Sequence, residues 1–283
     1  MQPATKSRPR YLCSAALPIL LLFGEAGFPR SDVKGPMPAI EGAKVCASVK
    51  ELESELSKTD RVLVWRHGST FPAELWPQLQ DFLKKGGSLL HLGGAPFTRP
   101  VVGKPGERKI QPHTVSYLKA LRLNQAHELA AGGSSLDWVA PSGKGIVASR
   151  KLAADARVFA LEPRLSEVRD FKFEDGGSGA RDALLRPLAY LREPGADKRF
   201  PHAAGALLID RLRGPFAGGR WTFWLSDAPL GAEELGLLVN LSRQAPLDLR
   251  IDPTFDCFHA GERASALLSV HGPRAATLNT MRL

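Results

Sequence analysis

Two histidines and two arginines are the residues of this 283-residue sequence that are best placed to do chemistry. His67 follows one short apolar run and His91 lies near the end of another, while Arg66 and Arg99 lie close to them in the sequence. Because ligands of open α/β sheets collect at the carboxyl ends of strands, these side chains would share one edge of a sheet. Together they could bind a sugar hydroxyl, a carboxylate or a metal ion, and the arginines could bind an anion.

A structural interpretation of the histidines is the alternative. Both imidazoles would then be hydrogen-bonded and would shape the loops at the ends of their strands. A metal site needs a third ligand, and the spacing of the sequence supplies none. We therefore favour the structural interpretation of His67 and His91, and we expect neither a metal nor a cofactor.

Two further sets of residues have chemical and structural interpretations. Glu162 and Asp210 end strand-like runs and are the best candidates for the paired carboxylates of a glycosidase, although nothing in the sequence brings them together. Trp221, Phe223 and Trp224 could stack on a sugar. Alternation along a strand puts Trp224 on the opposite face from the other two, which favours packing in the core.

From residue 43 the sequence alternates apolar runs with amphipathic segments. Strands are predicted at 43–47, 61–66 and 88–92, with a helix after each of the first two. Ser48 and Glu51 have the spacing of a capping box at the start of the first helix. This alternation predicts a doubly wound parallel sheet. Later segments predict a strand pair at 204–212 and 219–226, followed by a helix at 231–244.

The N-terminal residues have the pattern of a secretory signal. Basic residues precede the apolar run 11–23, and Gly24 and Ala26 are small residues suited to cleavage after Ala26. The run is too short to span a bilayer. The sequence thus predicts a signal peptide at 1–26, a Gly- and Pro-containing linker at 27–42 and a secreted or periplasmic protein.

Residues 246–283 change character and contain short strand-like runs separated by turn residues. They predict the beginning of an Ig-like β-sandwich, with too few residues to complete one. Cys46 and Cys257 would be the cysteines left after cleavage. They either pair in an oxidising compartment or remain two isolated thiols.

The charge of the chain also limits the function. The formal net charge is +9, but the basic residues are scattered among acidic ones and form no stripe with interleaved aromatic residues. Nucleic-acid binding is therefore not expected.

Two stretches resemble a known family: "DRVLVWRHGSTFPAELWPQLQDFLKKGGSLLHLGGAPF" at 60–97 and "GALLIDRLRGPFAGGRWTFWLS" within 204–226. They look like parts of a class I glutamine amidotransferase-like domain. The likeness is greatest to the non-amidotransferase branch found beside carbohydrate-acting modules, such as β-galactosidase trimerisation and trehalose-utilisation-type domains. The resemblance covers residues 43–245 and implies a flavodoxin-like doubly wound parallel sheet.

The catalytic members of that family carry a cysteine in a G-x-C-x-G turn. Aligned on that turn, "LLHLG" places His91 where the cysteine would stand, and no cysteine lies between residues 47 and 256. Amide hydrolysis of glutamine needs a thiolate activated by a base, so this activity is not expected.

The sequence therefore predicts an exported accessory or interaction domain of a carbohydrate-processing protein. Its partners would be a carbohydrate ligand and either an oligomer or a larger C-terminal region. Two alternatives remain open: a hydrolase that acts on a carbohydrate, and a purely structural or oligomerisation domain. Whether the domain has any enzymatic activity is left open at this point.

Overall fold

The computed structural model describes residues 17–36, 38–139, 148–164, 182–195, 202–244 and 246, together with the backbone of two strands at 248–253 and 266–271. The strands are β1 (Ile19–Phe23), β2 (Lys44–Cys46), β3 (Arg61–Trp65), β4 (Thr70–Pro72), β5 (Ser88–Leu92), β6 (Arg99–Val102), β7 (Lys109–Ile110), β8 (Leu123–Ala130), β9 (Ser135–Trp138), β10 (Arg150–Lys151), β11 (Arg157–Pro163), β12 (Ala183–Arg192), β13 (Ala203–Arg211), β14 (Arg220–Trp224), β15 (Asp248–Pro253) and β16 (Ala266–His271). The helices are α1 (Val49–Leu56), α2 (Trp76–Lys84), α3 (Ser116–Ala120) and α4 (Ala232–Ser242).

A nine-stranded mixed sheet organises the fold, in the order β10-β9-β12-β13-β14-β5-β3-β1-β2. Every neighbouring pair from β2 to β14 is parallel. Every pair from β14 to β10 is antiparallel. The expected α/β character is present, but the prediction of a parallel sheet holds for one half only. The expected hairpin of β13 and β14 is where the direction changes, because a short turn can join only antiparallel strands.

The apolar run that we assigned to a signal peptide contains an interior strand. β1 lies between β2 and β3, and Leu21 pairs with Lys44 on one side and with Leu63 on the other. Leu20, Leu21 and Phe23 are fully buried. Cleavage after Ala26 would remove this strand from the middle of the parallel half, so a processing site there does not fit the fold. A strand buried on both faces is continuously apolar, as the core of a signal peptide is.

Residues 27–42 likewise belong to the α/β fold and are not a separate linker. The Phe28 side chain is buried and packs edge-on against Phe23, with ring centroids 5.0 Å apart. The amide of Lys34 donates a hydrogen bond of 2.7 Å to the Asp227 carbonyl, on the loop after β14. This segment therefore folds over the end of the sheet.

Apolar side chains cover the sheet on both faces. Leu21 and Phe23 belong to a core shared with α1 and α2, while Leu20 and Leu22 belong to a second core that contains the buried face of α4. Successive side chains of a strand point to opposite faces, so a buried strand supplies both cores. The helices thus lie on both sides of the parallel half, as predicted.

Local signals fix the ends of the first two helices. The Ser48 side chain accepts a hydrogen bond from the Glu51 amide at the start of α1, as the spacing predicts. Pro77 lies in the first turn of α2, after a 3-10 turn at Ala73–Leu75. Gly86 follows α2 with φ +83°, a conformation that glycine adopts without strain.

Three smaller sheets complete the described fold: β4-β6-β7, β8-β11 and β15-β16. The β15–β16 pair is antiparallel and contains two of the strands expected after residue 246. The sequence did not predict the β4-β6-β7 sheet. Its strands have two to four residues, too few for a period of two to show in the sequence.

Candidate functional site

The end of β5 holds His91, and this side chain is entirely buried. β5 pairs with β3 through Trp65 and with β14 through Phe223, so His91 has a strand on each side. Its Nε2 atom lies 2.9 Å from the Gly68 carbonyl oxygen. Because a carbonyl only accepts, Nε2 carries the proton. Burial lowers the pKa of His91 to about 3, so the imidazole is neutral at physiological pH.

His67 follows β3 and has the same kind of surroundings. Its Nε2 atom lies 3.0 Å from the Phe23 carbonyl oxygen, and the rings of Phe23, Phe28 and Trp65 pack around it. Burial lowers the pKa of His67 to about 4, with the positive charge of Arg66 as a smaller cause. Both histidines lie at the predicted edge, but they are neutral and bonded to the backbone. These contacts favour the structural interpretation.

The Nδ1 atoms of His67 and His91 are buried without a hydrogen-bond partner. A metal would take these nitrogens, because Nε2 is already used. Within the described part of the chain, however, no group of three His, Cys, Asp or Glu side chains is arranged to hold a metal ion.

A double-glycine turn follows β5, and the chain's own residues fill the space in front of it. Gly93 and Gly94 have φ of +87° and +63°. A Cβ on Gly93 would lie 2.4 Å from Cγ2 of Val33, and a Cβ on Gly94 would lie 2.5 Å from Oγ of Ser69. Val33 belongs to the segment after β1. A side chain at either glycine would therefore collide with that segment or with the loop after β3.

A charged cluster closes the same edge, and we call it the Asp32 cluster: Asp32, Ser69, Arg99, Arg157 and Asp227. Asp32 accepts a hydrogen bond of 2.5 Å from Ser69 Oγ and one of 3.2 Å from Arg157 Nη2. Arg157 also donates to Asp227, with an Nε to Oδ2 distance of 3.0 Å. Arg99 Nε lies 3.9 Å from Asp32. Both carboxylates of the Asp32 cluster, Asp32 and Asp227, are thus bound to arginines of the chain itself.

The elements that carry this cluster explain its place. Asp32 follows β1, Ser69 follows β3 and Asp227 follows β14, so all three lie beyond the carboxyl ends of parallel strands. Asp227 and Ser69 are almost completely buried. Asp32 has φ +60°, a conformation in which aspartate is among the tolerated residues. Asp32 was not among the predicted site residues, because the Gly and Pro content of residues 27–42 is typical of a linker.

The two arginines expected to flank one cleft do not face the same groups. Arg99 faces Asp32, as described above. The Arg66 side chain lies near β1, and its Nη2 atom is 3.9 Å from the position that a Cβ atom would take at residue 24. The structure therefore places these side chains in different surroundings.

The two carboxylates considered for a glycosidase bind other side chains and lie in different surroundings. Asp210 is fully buried and binds Arg220 through two contacts, 2.6 Å from Nε and 2.9 Å from Nη2. Glu162 is exposed on β11 and accepts a hydrogen bond of 3.1 Å from Asn124. The structure gives no support to this pair as acid and base.

The aromatic residues of β14 belong to the core. Trp221, Phe223 and Trp224 are fully buried, and Trp224 lies in the opposite core from the other two. This confirms the prediction of core packing. The free thiol of Cys46 is also buried, and burial raises its pKa. Cys257 lies outside the described residues.

Among the residues that the structure describes, no helix has the length and apolar character needed to cross a membrane.

No protein-family model matches the sequence. No curated protein matches it either. Among solved structures, the chain is similar to the cold-adapted β-galactosidase from Rahnella sp. R3, with a TM-score of 0.37 and 8% sequence identity. The match covers 84% of this chain and 34% of that enzyme, so this chain spans about a third of its length.

Proposed function

We propose that this chain is a non-catalytic accessory or interaction domain of a carbohydrate-processing protein, built on a flavodoxin-like parallel unit. The order of the parallel strands supports the unit. They run β2-β1-β3-β5-β14, which is the order 2-1-3-4-5 when the parallel strands are numbered along the chain. That order is one of the two common doubly wound arrangements.

The closed edge at the end of β5 is the observation that supports a non-catalytic role. The resembling amidotransferases need a reactive thiolate there, whereas this chain has a neutral buried imidazole at His91 and two glycines after it. Val33 and Ser69 fill the space in front of the two glycines that follow this strand. A substrate would have to displace these residues in order to reach the end of the strand.

The same contacts argue against the hydrolase alternative. A general base needs a free nitrogen near the reacting group. The Nδ1 atoms of His67 and His91 make no hydrogen bond, but both atoms are buried inside the protein, out of reach of solvent. We therefore do not propose a reaction at these residues.

The carbohydrate part of the proposal rests on the resemblance of residues 60–97 and 204–226, and one aromatic surface is available for it. Of the five tryptophans, Trp76 alone is not buried. Its ring packs edge-on against the half-buried Tyr117, with centroids 4.8 Å apart. Sugars bind by stacking on accessible aromatic faces, so Trp76 is the tryptophan that can contact one.

Calorimetric titration of the purified protein with a panel of neutral and acidic oligosaccharides tests this proposal. We expect saturable binding to at least one of them, weakened by Trp76→Ala. The control variant is Tyr190→Ala, which also removes a half-buried aromatic ring. Absence of binding across the panel would overturn the carbohydrate part.

Ammonia release from glutamine, and sugar release from the same oligosaccharides, test the non-catalytic part. We expect neither reaction above the rate without protein. Turnover that persists through purification and is lost in His91→Gln would overturn it.

A further inference from the structure

Arg30 and Arg66 lie at a reversal point of the parallel half. The chain leaves β1 toward β2 on one side, and after β3 it continues to β5 on the other side. Doubly wound sheets bind ligands outside the carboxyl ends of the strands at such a point. Arg30 lies on the segment after β1, and Arg66 directly follows β3.

The backbone places the segments that carry the two arginines side by side. The Ser31 amide donates a hydrogen bond of 3.2 Å to the His67 carbonyl, so the residue after Arg30 is bound to the residue after Arg66. The Arg66 guanidinium extends toward the end of β1, where its Nη2 atom lies 3.9 Å from the Cβ position of Gly24. Both side chains thus start from fixed backbone at one edge.

Within the described ranges, no carboxylate forms an ion pair with Arg30 or Arg66. Glu25, on the same segment, binds Arg108 through two contacts of 2.8 and 2.9 Å and is buried with it. Among the described residues, Arg66 has no hydrogen-bond or ion-pair partner, and Arg30 donates only to the Gly35 carbonyl at 3.5 Å.

The two guanidinium groups also act on each other. Arg30 is an exposed residue, and the pKa of its guanidinium is lowered by partial desolvation and by the positive charge of Arg66. Like charges held together with unused donors gain free energy from an anion that binds between them, and the planar guanidinium fits oxyanions through two parallel hydrogen bonds. The repulsion in the free protein thus favours ligand binding.

We propose that Arg30 and Arg66 form a binding site for one oxyanion, the phosphate, sulfate or carboxylate group of a small ligand. A dianion offsets both charges, so sulfate and phosphate should bind more tightly than a simple carboxylate. This site does not depend on the proposed carbohydrate function, since inorganic anions alone would show it.

Calorimetry with sodium sulfate, sodium phosphate and sodium glucuronate, at an ionic strength held constant with sodium chloride, tests the site. We expect one saturable site, with affinity reduced at least about tenfold in Arg30→Gln and in Arg66→Gln, because each change removes a charge-assisted hydrogen bond. The anion affinity of Arg66→Lys should lie between that of the natural protein and that of Arg66→Gln, since lysine keeps the charge but lacks the planar guanidinium. The charge-matched control is Lys84→Gln, at the exposed end of α2, and it should bind like the natural protein.

Unfolding in urea without ligand separates a lost site from a damaged fold. Removing one of two repelling charges should leave Arg30→Gln at least as stable as the natural protein. Absence of saturable binding to all three anions would overturn the proposal, and so would an equal loss in Lys84→Gln, which would show general charge screening. Tight binding of glucuronate would identify a sugar carboxylate as the ligand group, whereas binding of sulfate or phosphate alone would identify a free or esterified dianion.

Discussion

Acid should destabilise this protein well above the pH at which its carboxylates titrate, because two histidines are buried in the neutral form. The folded pKa is about 4 for His67 and about 3 for His91, against an ordinary value of 6.5. When the pH falls below 6.5, the unfolded chain binds protons at both residues and the folded chain does not. Stability is therefore complete above pH 6.5 and is lost as the pH falls toward the folded pKa values.

The magnitude follows from the linkage of protonation to folding. One pKa unit corresponds to about 1.4 kcal/mol, so at pH 5 each histidine has lost roughly 2 kcal/mol of its contribution at pH 7. The two together lower the free energy of unfolding by about 4 kcal/mol. That is a large fraction of the roughly 5–15 kcal/mol that stabilises a typical domain. Little of it overlaps with carboxylates, whose unfolded pKa values lie near 4.

Urea unfolding at steps from pH 7.5 to 5, followed by tryptophan fluorescence, measures this loss. His91→Gln should reduce the slope against pH by about half, because one titrating group remains buried. His113→Gln is the control, since His113 is exposed and its loss should leave the slope unchanged. If His91→Gln does not fold, the pH dependence of the natural protein alone still tests whether both imidazoles are buried. If the free energy of unfolding hardly changes between pH 6.5 and 5, neither imidazole is buried in the neutral form. If it changes by half the expected amount, only one of them is.

The remaining predictions concern the N-terminal strand, the glycine turn and the buried thiol. Leu21→Ala should lower the free energy of unfolding by about 2–5 kcal/mol, whereas Leu17→Ala, at a side chain that is 71% exposed, should change it little; equal small effects would show that β1 is not in the folded core. Gly94→Ala should lower the free energy of unfolding more than Gly106→Ala does. Both positions have positive φ, which strains an alanine by about 1–2 kcal/mol, but only the Cβ at position 94 would collide with other atoms. Equal losses of stability in urea unfolding would contradict the filled turn. Cys46 should resist iodoacetamide in the folded protein and react in urea, and peptide mass spectrometry that finds it labelled without denaturant would contradict its burial.

Local signals account for the part of the fold that the sequence predicted. The elements β2, α1, β3, α2 and β5 lie where the sequence places them, because each carries its own marker in consecutive residues. Ser48 caps α1, Pro77 lies in the first turn of α2, and Gly86 follows the end of α2. None of these markers needs a distant contact.

Strand β1 shows why a local sequence pattern alone can identify an element wrongly. A buried parallel strand and the apolar core of a signal peptide have the same composition, so residues 19–23 satisfy both patterns. The pairing of Leu21 with Lys44 and Leu63 separates the two, and those residues lie far along the chain. The Asp32 cluster escaped prediction for the same reason. Asp32 is separated by 37 residues from Ser69 and by 125 from Arg157.

Local patterns in the amino-acid sequence are enough to identify the residues at the ends of the parallel strands, and so to place His67, His91 and Arg66 at one edge. The chemical state of these side chains depends instead on contacts that form when the chain folds. Burial keeps the imidazoles neutral, the segment after β1 fills the space beyond β5, and Glu25 binds Arg108 and not Arg66. Desolvation and charge pairing depend on groups that meet only when the chain has folded, so no local pattern encodes them.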